Sequence, residues 1–201
     1  MPMAIHAMRS RLSRRVRAVA LRVLGRKPRF MPLDLQRPPI LLRKIQKSRW
    51  FGRVNIAAGE APADALKDLE TSGNKLSVWL VDENELDVRR VITALAASRD
   101  HVTNVDYVVL DYEVFEGMKL KLEIARGNTH DDGANQRWHR DLVELSATQV
   151  ANFANAVVAK GKKARATERD VISWIQTAVA AGHIDRERLQ PNVVAKVFTR
   201  T

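Results

Sequence analysis

The chain contains no cysteine, and this absence removes several classes of protein at once. Without thiols there is no disulfide framework, no thiolate nucleophile and no cysteine-ligated zinc, which excludes a small secreted disulfide scaffold. A reducing compartment fits this composition, and we expect a cytoplasmic protein. No apolar run reaches the roughly 18 residues that a membrane-spanning helix needs.

Motifs that would name a reaction are also missing. The chain has neither the G-x-G-x-x-G fingerprint of dinucleotide-binding folds nor the Walker A motif of P-loop NTPases. It also lacks the G-x-S-x-G nucleophile elbow of α/β-hydrolases. We therefore expect no cofactor, and we favour a binding, adaptor or regulatory protein over an enzyme.

Acidic residues are almost absent from the first quarter of the chain. Residues 1–53 contain 15 Lys and Arg but one acid, Asp34, which makes their net charge +14. Residues 54–201 contain 19 Lys and Arg against 22 acids, so their net charge is −3. The whole-chain charge of +11 therefore comes from the N-terminal quarter, as is typical of a basic binding arm attached to a body of different charge.

Residues 1–30 are predicted to form a basic amphipathic arm. Apolar side chains recur there at helical spacing, and arginines occupy most of the remaining surface. The apolar residues are Met8, Leu12, Val16, Val19 and Val23, and the arginines expected to contact an anionic partner include Arg14, Arg15 and Arg17.

Four interpretations of this arm stay open. It lies on an anionic membrane surface, follows a nucleic-acid backbone, serves as an organelle presequence, or is a solvated tail that docks on a partner protein. A twin-arginine export signal is rejected because Arg17 and Arg22 interrupt the apolar stretch it would need. Met31 offers an alternative translation start, which would leave residues 1–30 outside the native protein. The oligomeric state is left open.

Residues 31–53 are predicted to be a proline-rich connector followed by a basic helix. Aromatic residues among basic ones are typical of surfaces that stack bases and neutralise phosphates. The predicted nucleic-acid or anion contacts are Arg43, Lys44, Lys47, Arg49 and Trp50. The competing interpretation makes Trp50 and Phe51 an anchor that packs the helix end onto the core.

Residues 54–160 predict an α/β core, with α+β as the alternative class. The apolar runs at 76–81 and 105–110 are typical of buried strands, and a helix over about 86–99 joins them into a βαβ unit. The alternating KLKLEI at 119–124 indicates a third strand near an edge. We expect a small three-stranded mixed sheet flanked by helices.

The C-terminal part is predicted to be helical, with 161–201 as a helical extension packed on the core. Trp138, Leu142 and Leu145 recur at helical spacing, and the polar KGKKAR segment indicates a linker. Two capping boxes mark helix starts, one at Ser146 with Gln149 and one at Thr167 with Asp170.

Acidic side chains follow both predicted buried strands. Asp82 comes after the first strand, and Asp111 and Glu113 come after the second. Ligands gather at the carboxyl ends of parallel strands, so neighbouring strands would bring these carboxylates into one crevice that binds Mg²⁺ or Mn²⁺. This supports an alternative function, a metal-dependent nuclease or phosphohydrolase with catalytic Asp82, Asp111 and Glu113. A third alternative is a peripheral membrane protein.

The polar segment 127–142 is a second candidate site. His130 and His139 are predicted there as metal ligands alongside Asp82 and Asp111, or as a general base. The competing interpretation places His139 on the surface at a helix start, in a segment that buries no core.

The strands and most of the apolar periodicity lie beyond residue 40, so we predict that the body folds without the arm. Removal of residues 1–30 should leave a cooperative thermal transition and an unchanged circular dichroism spectrum. Loss of solubility or of the transition would show that the arm belongs to the core.

Overall fold

One six-stranded sheet, ordered β4-β5-β2-β1-β3-β6, organises the computed structural model, which describes residues 39–51 and 57–199. The strands are β1 (Pro39–Ile45), β2 (Leu76–Asp82), β3 (Val105–Asp111), β4 (Lys121–Ile124), β5 (His139–Val143) and β6 (Lys162–Ala166). All neighbouring strands are antiparallel. The predicted α/β class is confirmed, whereas the predicted three-stranded mixed sheet is wrong.

Helices cover both faces of this sheet. The α-helices are α1 (Lys47–Trp50), α2 (Glu85–Ala97), α3 (Tyr112–Gly117), α4 (Asp132–Trp138), α5 (Ala147–Lys160), α6 (Glu168–Ala180) and α7 (Pro191–Phe198), and Ala63–Leu69 and Arg186–Arg188 are 3-10 helices. Apolar side chains of α2, α4, α6 and α7 pack on one face, and those of α1, α3, α5 and Ala63–Leu69 pack on the other. Among the described helices, none has the length and apolarity needed to cross a bilayer.

The central strands are apolar on both sides because each side meets a helical layer. In β1, Ile40 and Leu42 contribute to one apolar cluster and Leu41 to the other, as the two-residue period of a strand requires. Pro39, which cannot donate a ladder hydrogen bond, is the first residue of the strand, where this is tolerated.

The basic helix predicted from residue 40 onward is wrong, because residues 39–45 form the central strand β1 and only Lys47–Trp50 are helical. Three consecutive apolar residues at 40–42 fit one stripe of a helix as well as a strand covered on both faces. Residues 40–42 form a strand because helices cover both faces of the sheet, and these helices come from distant parts of the chain.

Two further strands were not predicted. Residues 139–143 form β5 in place of a helix continuing through Leu142, and residues 162–166 form β6 in place of a linker. In β6, only Ala166 is buried, so the strand lacks the apolar alternation by which strands are recognised. The predicted third strand is confirmed as edge strand β4, and the short helix α3 lies between β3 and β4.

Strands β2 and β3 run in the same direction and are joined by α2, as the βαβ pattern predicted. They are not neighbours, however, because β1 lies between them and pairs with both. Strand β1 precedes both in the chain, and the sequence pattern predicts a helix there, so its position between β2 and β3 was not expected.

Both predicted capping boxes are present. The Ser146 and Thr167 side chains accept the N–H groups of Gln149 and Asp170, whose side chains return the contact to the cap backbone. Such caps are local in sequence, which is why they are predictable.

Gly161 joins α5 to β6 where there is no room for a side chain. A Cβ there would lie 2.4 Å from the Val157 carbonyl oxygen and 2.5 Å from a Val108 methyl group. We predict that Gly161→Ala destabilises the fold by about 1–3 kcal/mol, the usual cost of overpacking. Denaturant unfolding measures this, and Gly117→Ala, whose Cβ meets nothing within 4 Å, is the matched control. Equal stability of the two variants would contradict the packing.

Candidate functional site

The sheet forks between β1 and β2. The two strands pair only as far as Leu42 opposite Trp79. Beyond this point β1 stays with β3 until Ile45 faces Asp106, while β2 stays with β5. The two halves of the sheet therefore separate at this end, and a gap opens beside the last residues of β1.

Arg43 spans the fork. Its guanidinium donates from Nη1 to the Ser77 carbonyl oxygen of β2 and from Nη2 to the Asp68 carbonyl oxygen at 2.6 Å. Burial lowers the pKa of Arg43, and the nearby Asp68 carboxylate opposes this shift. The Nε atom is also buried and has no hydrogen-bond partner within the described part of the chain. The Arg43 side chain thus joins β1, β2 and the 3-10 helix Ala63–Leu69.

Asp68 holds the chain segment that follows β1. Its carboxylate accepts the backbone N–H of Gln46 at 2.6 Å, Nη1 of Arg49 at 2.7 Å and Nε1 of Trp50 at 2.7 Å. This carboxylate is therefore already occupied by an arginine and two further donors. The strand end and the short α1 are positioned by it.

A cavity of about 610 Å³ opens at the fork. Its walls come from the end of β1, the start of β2, the segment after α2, the 3-10 helix and the segment before α4. Its lining residues are Arg43, Lys44, Ile45, Gln46, Arg49, Lys67, Asp68, Ser77, Trp79, Leu95, Arg99, Thr103, Asn104, Asp106, Asn128, Thr129 and His139. This size lies within the range of small-molecule sites, which is about 300–1,000 Å³.

Positive charge dominates this cavity, which we call the fork cavity. Its two acids are each held by an arginine, Asp68 by Arg49 and Asp106 by Arg165 through two hydrogen bonds of 2.6 and 3.1 Å. No carboxylate within the described residues forms an ion pair with Lys44 or Arg99 at 4.0 Å or less.

The electrostatic effect of this arrangement is seen at Lys44. Burial lowers the pKa of Lys44, and repulsion from Arg99 and Arg43 lowers it further, against a smaller opposing effect of Asp68. Burial also lowers the pKa of Arg99. A bound anion would relieve this repulsion, because it adds negative charge beside Lys44 and the two arginines that repel it.

Buried hydrogen bonds hold the wall before α4. The Asn135 side chain accepts from the Thr129 hydroxyl at 2.7 Å and donates to the Thr129 carbonyl at 2.8 Å. Gly127 packs so closely that a Cβ would lie 2.4 Å from the Asn135 Oδ1. These hydrogen bonds and this close packing hold the wall in place, and a wall that is already held loses less entropy on binding.

His139 is the aromatic corner of the same wall. Its ring contacts Trp79 edge to face, with centroids 5.0 Å apart, and its Nδ1 lies 3.2 Å from the Ala125 carbonyl oxygen. A carbonyl only accepts, so Nδ1 carries the proton and Nε2 is the acceptor of the neutral ring. Burial lowers the pKa of His139, despite the opposing hydrogen bond to Ala125, and this favours the neutral form. The predicted position at a helix start is wrong, since His139 begins β5 and is buried.

The structure separates the carboxylates predicted to share a metal ion. Asp82 and Asp111 end strands on either side of β1, about 10 Å apart by strand spacing. Ile40 of β1 pairs with both Val81 and Asp111, so Asp111 lies on the Val81 face of the sheet and Asp82 on the opposite face. The assumption that their strands are neighbours is wrong.

Each of these carboxylates has its own surroundings. Asp111 accepts from Lys162 at 2.9 Å, Asp82 is buried, and Glu113 is exposed on α3. Within residues 39–51 and 57–199, no group of three or more His, Asp or Glu side chains is arranged to hold a metal ion.

His130 and His139 lie on different cavities. His130 lines a separate hollow with Asp132 and Arg188, whereas His139 lines the fork cavity. Burial lowers the pKa of His130, and Arg188 lowers it further. The expectation that this polar segment buries no core is wrong, because Ala134 and Trp138 are buried in it.

The predicted anion contacts divide into four groups. Arg43, Lys44 and Arg49 line the fork cavity, while Lys47 lies beside Phe51 and Lys163 in another hollow. Trp50 is only 2% exposed, so neither face of its indole is available to stack a base. Arg14, Arg15 and Arg17 lie outside the described residues.

Sequence reasoning missed Arg99, Asp68 and Thr129 as residues of this site. None of them belongs to a recognisable motif, and they come together only because the sheet forks. The one available signal was the Arg43-Lys44 pair, which interrupts an otherwise apolar run in a strand.

Comparison with known proteins adds no assignment: no family model matches the chain, and neither a curated protein nor a solved structure matches it. The evidence for function is therefore the geometry of the fork cavity.

Arg43→Met should destabilise the fold by about 2–4 kcal/mol, because two hydrogen bonds from a charged donor are lost across the fork. Denaturant unfolding measures the change, and Arg169→Met, which removes an exposed guanidinium on α6, should stay within about 0.5 kcal/mol of the parent chain. An Arg43→Met chain as stable as the Arg169→Met chain would show that Arg43 does not hold the fork.

Proposed function

We propose that this chain is a binding protein that holds an anionic ligand in the fork cavity. The observation that carries this proposal is that Arg43, Lys44 and Arg99 line one cavity whose two acids, Asp68 and Asp106, are already paired with Arg49 and Arg165. Grouping like charges in a partly buried place is unfavourable for the free protein. Such a cluster is accounted for if a negatively charged ligand completes it.

The composition of the walls supports a ligand smaller than a macromolecular surface. Alongside the cations stand neutral hydrogen-bonding groups, among them Ser77, Thr103 and Asn128, and the apolar side of the cavity includes Trp79. A concave site with cations, a few neutral polar groups and one aromatic wall suits a small anion that carries a polar body.

The wider role proposed for the chain is that of a cytoplasmic adaptor or regulator. Its basis is the charge of residues 1–53, which would give the arm an affinity for anionic partners, whether nucleic acid, a membrane surface or an acidic protein. The described residues that line the fork cavity lie between Arg43 and His139, so a chain without residues 1–30 allows binding at the cavity and binding by the arm to be measured separately.

Calorimetric titration of the full chain with inorganic phosphate tests the proposal. Lys44→Met and Arg99→Met should each weaken binding at least tenfold, which corresponds to about 1.4 kcal/mol of lost affinity. The matched control is Lys160→Met, since Lys160 is exposed at the end of α5 and is not among the residues that line the fork cavity. Equal binding by all four chains would assign the affinity to other cations and contradict the proposal.

A further inference from the structure

We infer that the fork cavity selects a phosphate monoester borne by a hydroxylated molecule, in preference to a phosphodiester, a sulfate or a carboxylate. This inference rests on the proposed function and names the class of ligand that the same cavity takes. Two features carry it: the three cations that line the cavity without an ion pair among the described residues, Arg43, Lys44 and Arg99, and the neutral ring of His139, which also lines it.

The first feature is a requirement for charge. Arg43 and Arg99 both repel Lys44, and the acids of the cavity are held by Arg49 and Arg165. A phosphomonoester carries about −1.5 to −2 at neutral pH. A phosphodiester or a single carboxylate carries one charge, so either would leave more of the cationic repulsion in place. The terminal phosphate therefore matches the cluster best.

The second feature is a requirement for a donor. With Nδ1 donating to the Ala125 carbonyl, the neutral His139 ring presents Nε2 as an acceptor. An oxyanion without protons has nothing to donate to it. A hydroxyl group on the body of the ligand can donate a hydrogen bond to this nitrogen, which would make the contact with His139 specific. Inorganic phosphate lacks a hydroxyl group separate from the anion, so it cannot contact the cations and His139 with two different parts of the molecule.

Other groups on the walls fit the same kind of ligand. The Asn104 side-chain oxygen accepts from the Glu168 N–H at 2.8 Å, so its NH₂ group is the part left to donate. The exposed amide of Asn128 belongs to the same cavity. Several neutral donors beside a cationic end are suited to the hydroxyls and the phosphate oxygens of one small molecule.

The test is a calorimetric comparison on the full chain with ribose 5-phosphate, inorganic phosphate, dimethyl phosphate and sulfate. Ribose 5-phosphate should bind at least tenfold more tightly than dimethyl phosphate and sulfate, and more tightly than inorganic phosphate. Equal affinity for ribose 5-phosphate and dimethyl phosphate would overturn this inference while leaving anion binding intact. Absence of any binding, or binding indifferent to Lys44→Met, would overturn the proposed function itself.

Two variants separate the contributions. His139→Asn retains a donor near the Ala125 carbonyl but removes the Nε2 acceptor, so the preference for ribose 5-phosphate over inorganic phosphate should disappear. Asn128→Asp, at an exposed side chain, adds a negative charge to the wall and should weaken ribose 5-phosphate binding at least fivefold. An unchanged ribose 5-phosphate preference in His139→Asn, or unchanged affinity in Asn128→Asp, would overturn the inference.

The same terminal phosphate occurs on small metabolites and at the ends of nucleic-acid strands. Oligonucleotides with a 5′-phosphate and a 5′-hydroxyl distinguish these sources. Tighter binding of the phosphorylated strand than of ribose 5-phosphate, reduced by Lys44→Met, would identify a strand end as the source of the terminal phosphate. Equal binding of both strands without binding of ribose 5-phosphate would show contact with internal phosphodiesters and overturn the inference.

Discussion

The guanidinium of Arg43 is the interaction on which the rest of this site depends. It donates to carbonyl oxygens of β2 and of the 3-10 helix, at the point where β1 has left β2 but still pairs with β3. An apolar residue at this position would leave carbonyl groups without a partner in a partly buried gap, which is costly. A charged side chain that spans the gap makes an open sheet compatible with a stable core.

Arg43 also contributes to the positive charge of the fork cavity. Arg43 brings a charge into the centre of the sheet, and Lys44 and Arg99 add two more, while Asp68 and Asp106 are directed toward Arg49 and Arg165. Residues 54–201 as a whole carry a net charge of −3, so net charge is a poor guide to this location. Positive potential remains wherever cations are not paired with nearby carboxylates, and in this protein such cations line a cavity.

Features that depend on neighbours in sequence were predictable, and features that depend on pairing between distant segments were not. The capping boxes at Ser146 and Thr167 and the two buried strands follow from local pattern. The strand nature of residues 39–45 does not, since an apolar triplet fits two structures. Strand β6 lies at an edge and is held by backbone pairing with β3. Most of its side chains are therefore exposed and can be polar, so the strand has no apolar pattern in the sequence.

The candidate site likewise contains residues that the sequence pointed to and residues that it did not. The sequence drew attention to Arg43, Lys44, Arg49 and His139 by their charge or chemistry, but assigned the histidine to a metal site and the cations to a nucleic-acid surface. Arg99 and Thr129 carry no local signal. Because the fork is a consequence of strand order, no pattern within one segment could reveal that these residues face one cavity.

The central claim is that an anion binds inside the fork cavity, and nuclear magnetic resonance of the ¹⁵N-labelled full chain tests it most directly. Titration with inorganic phosphate should shift the backbone amides of Lys44, Arg99 and Thr129 and the indole N–H of Trp79 along one saturable curve. Saturable shifts confined to the exposed cations of β6 or to residues 1–38, with the cavity amides unchanged, would contradict the account.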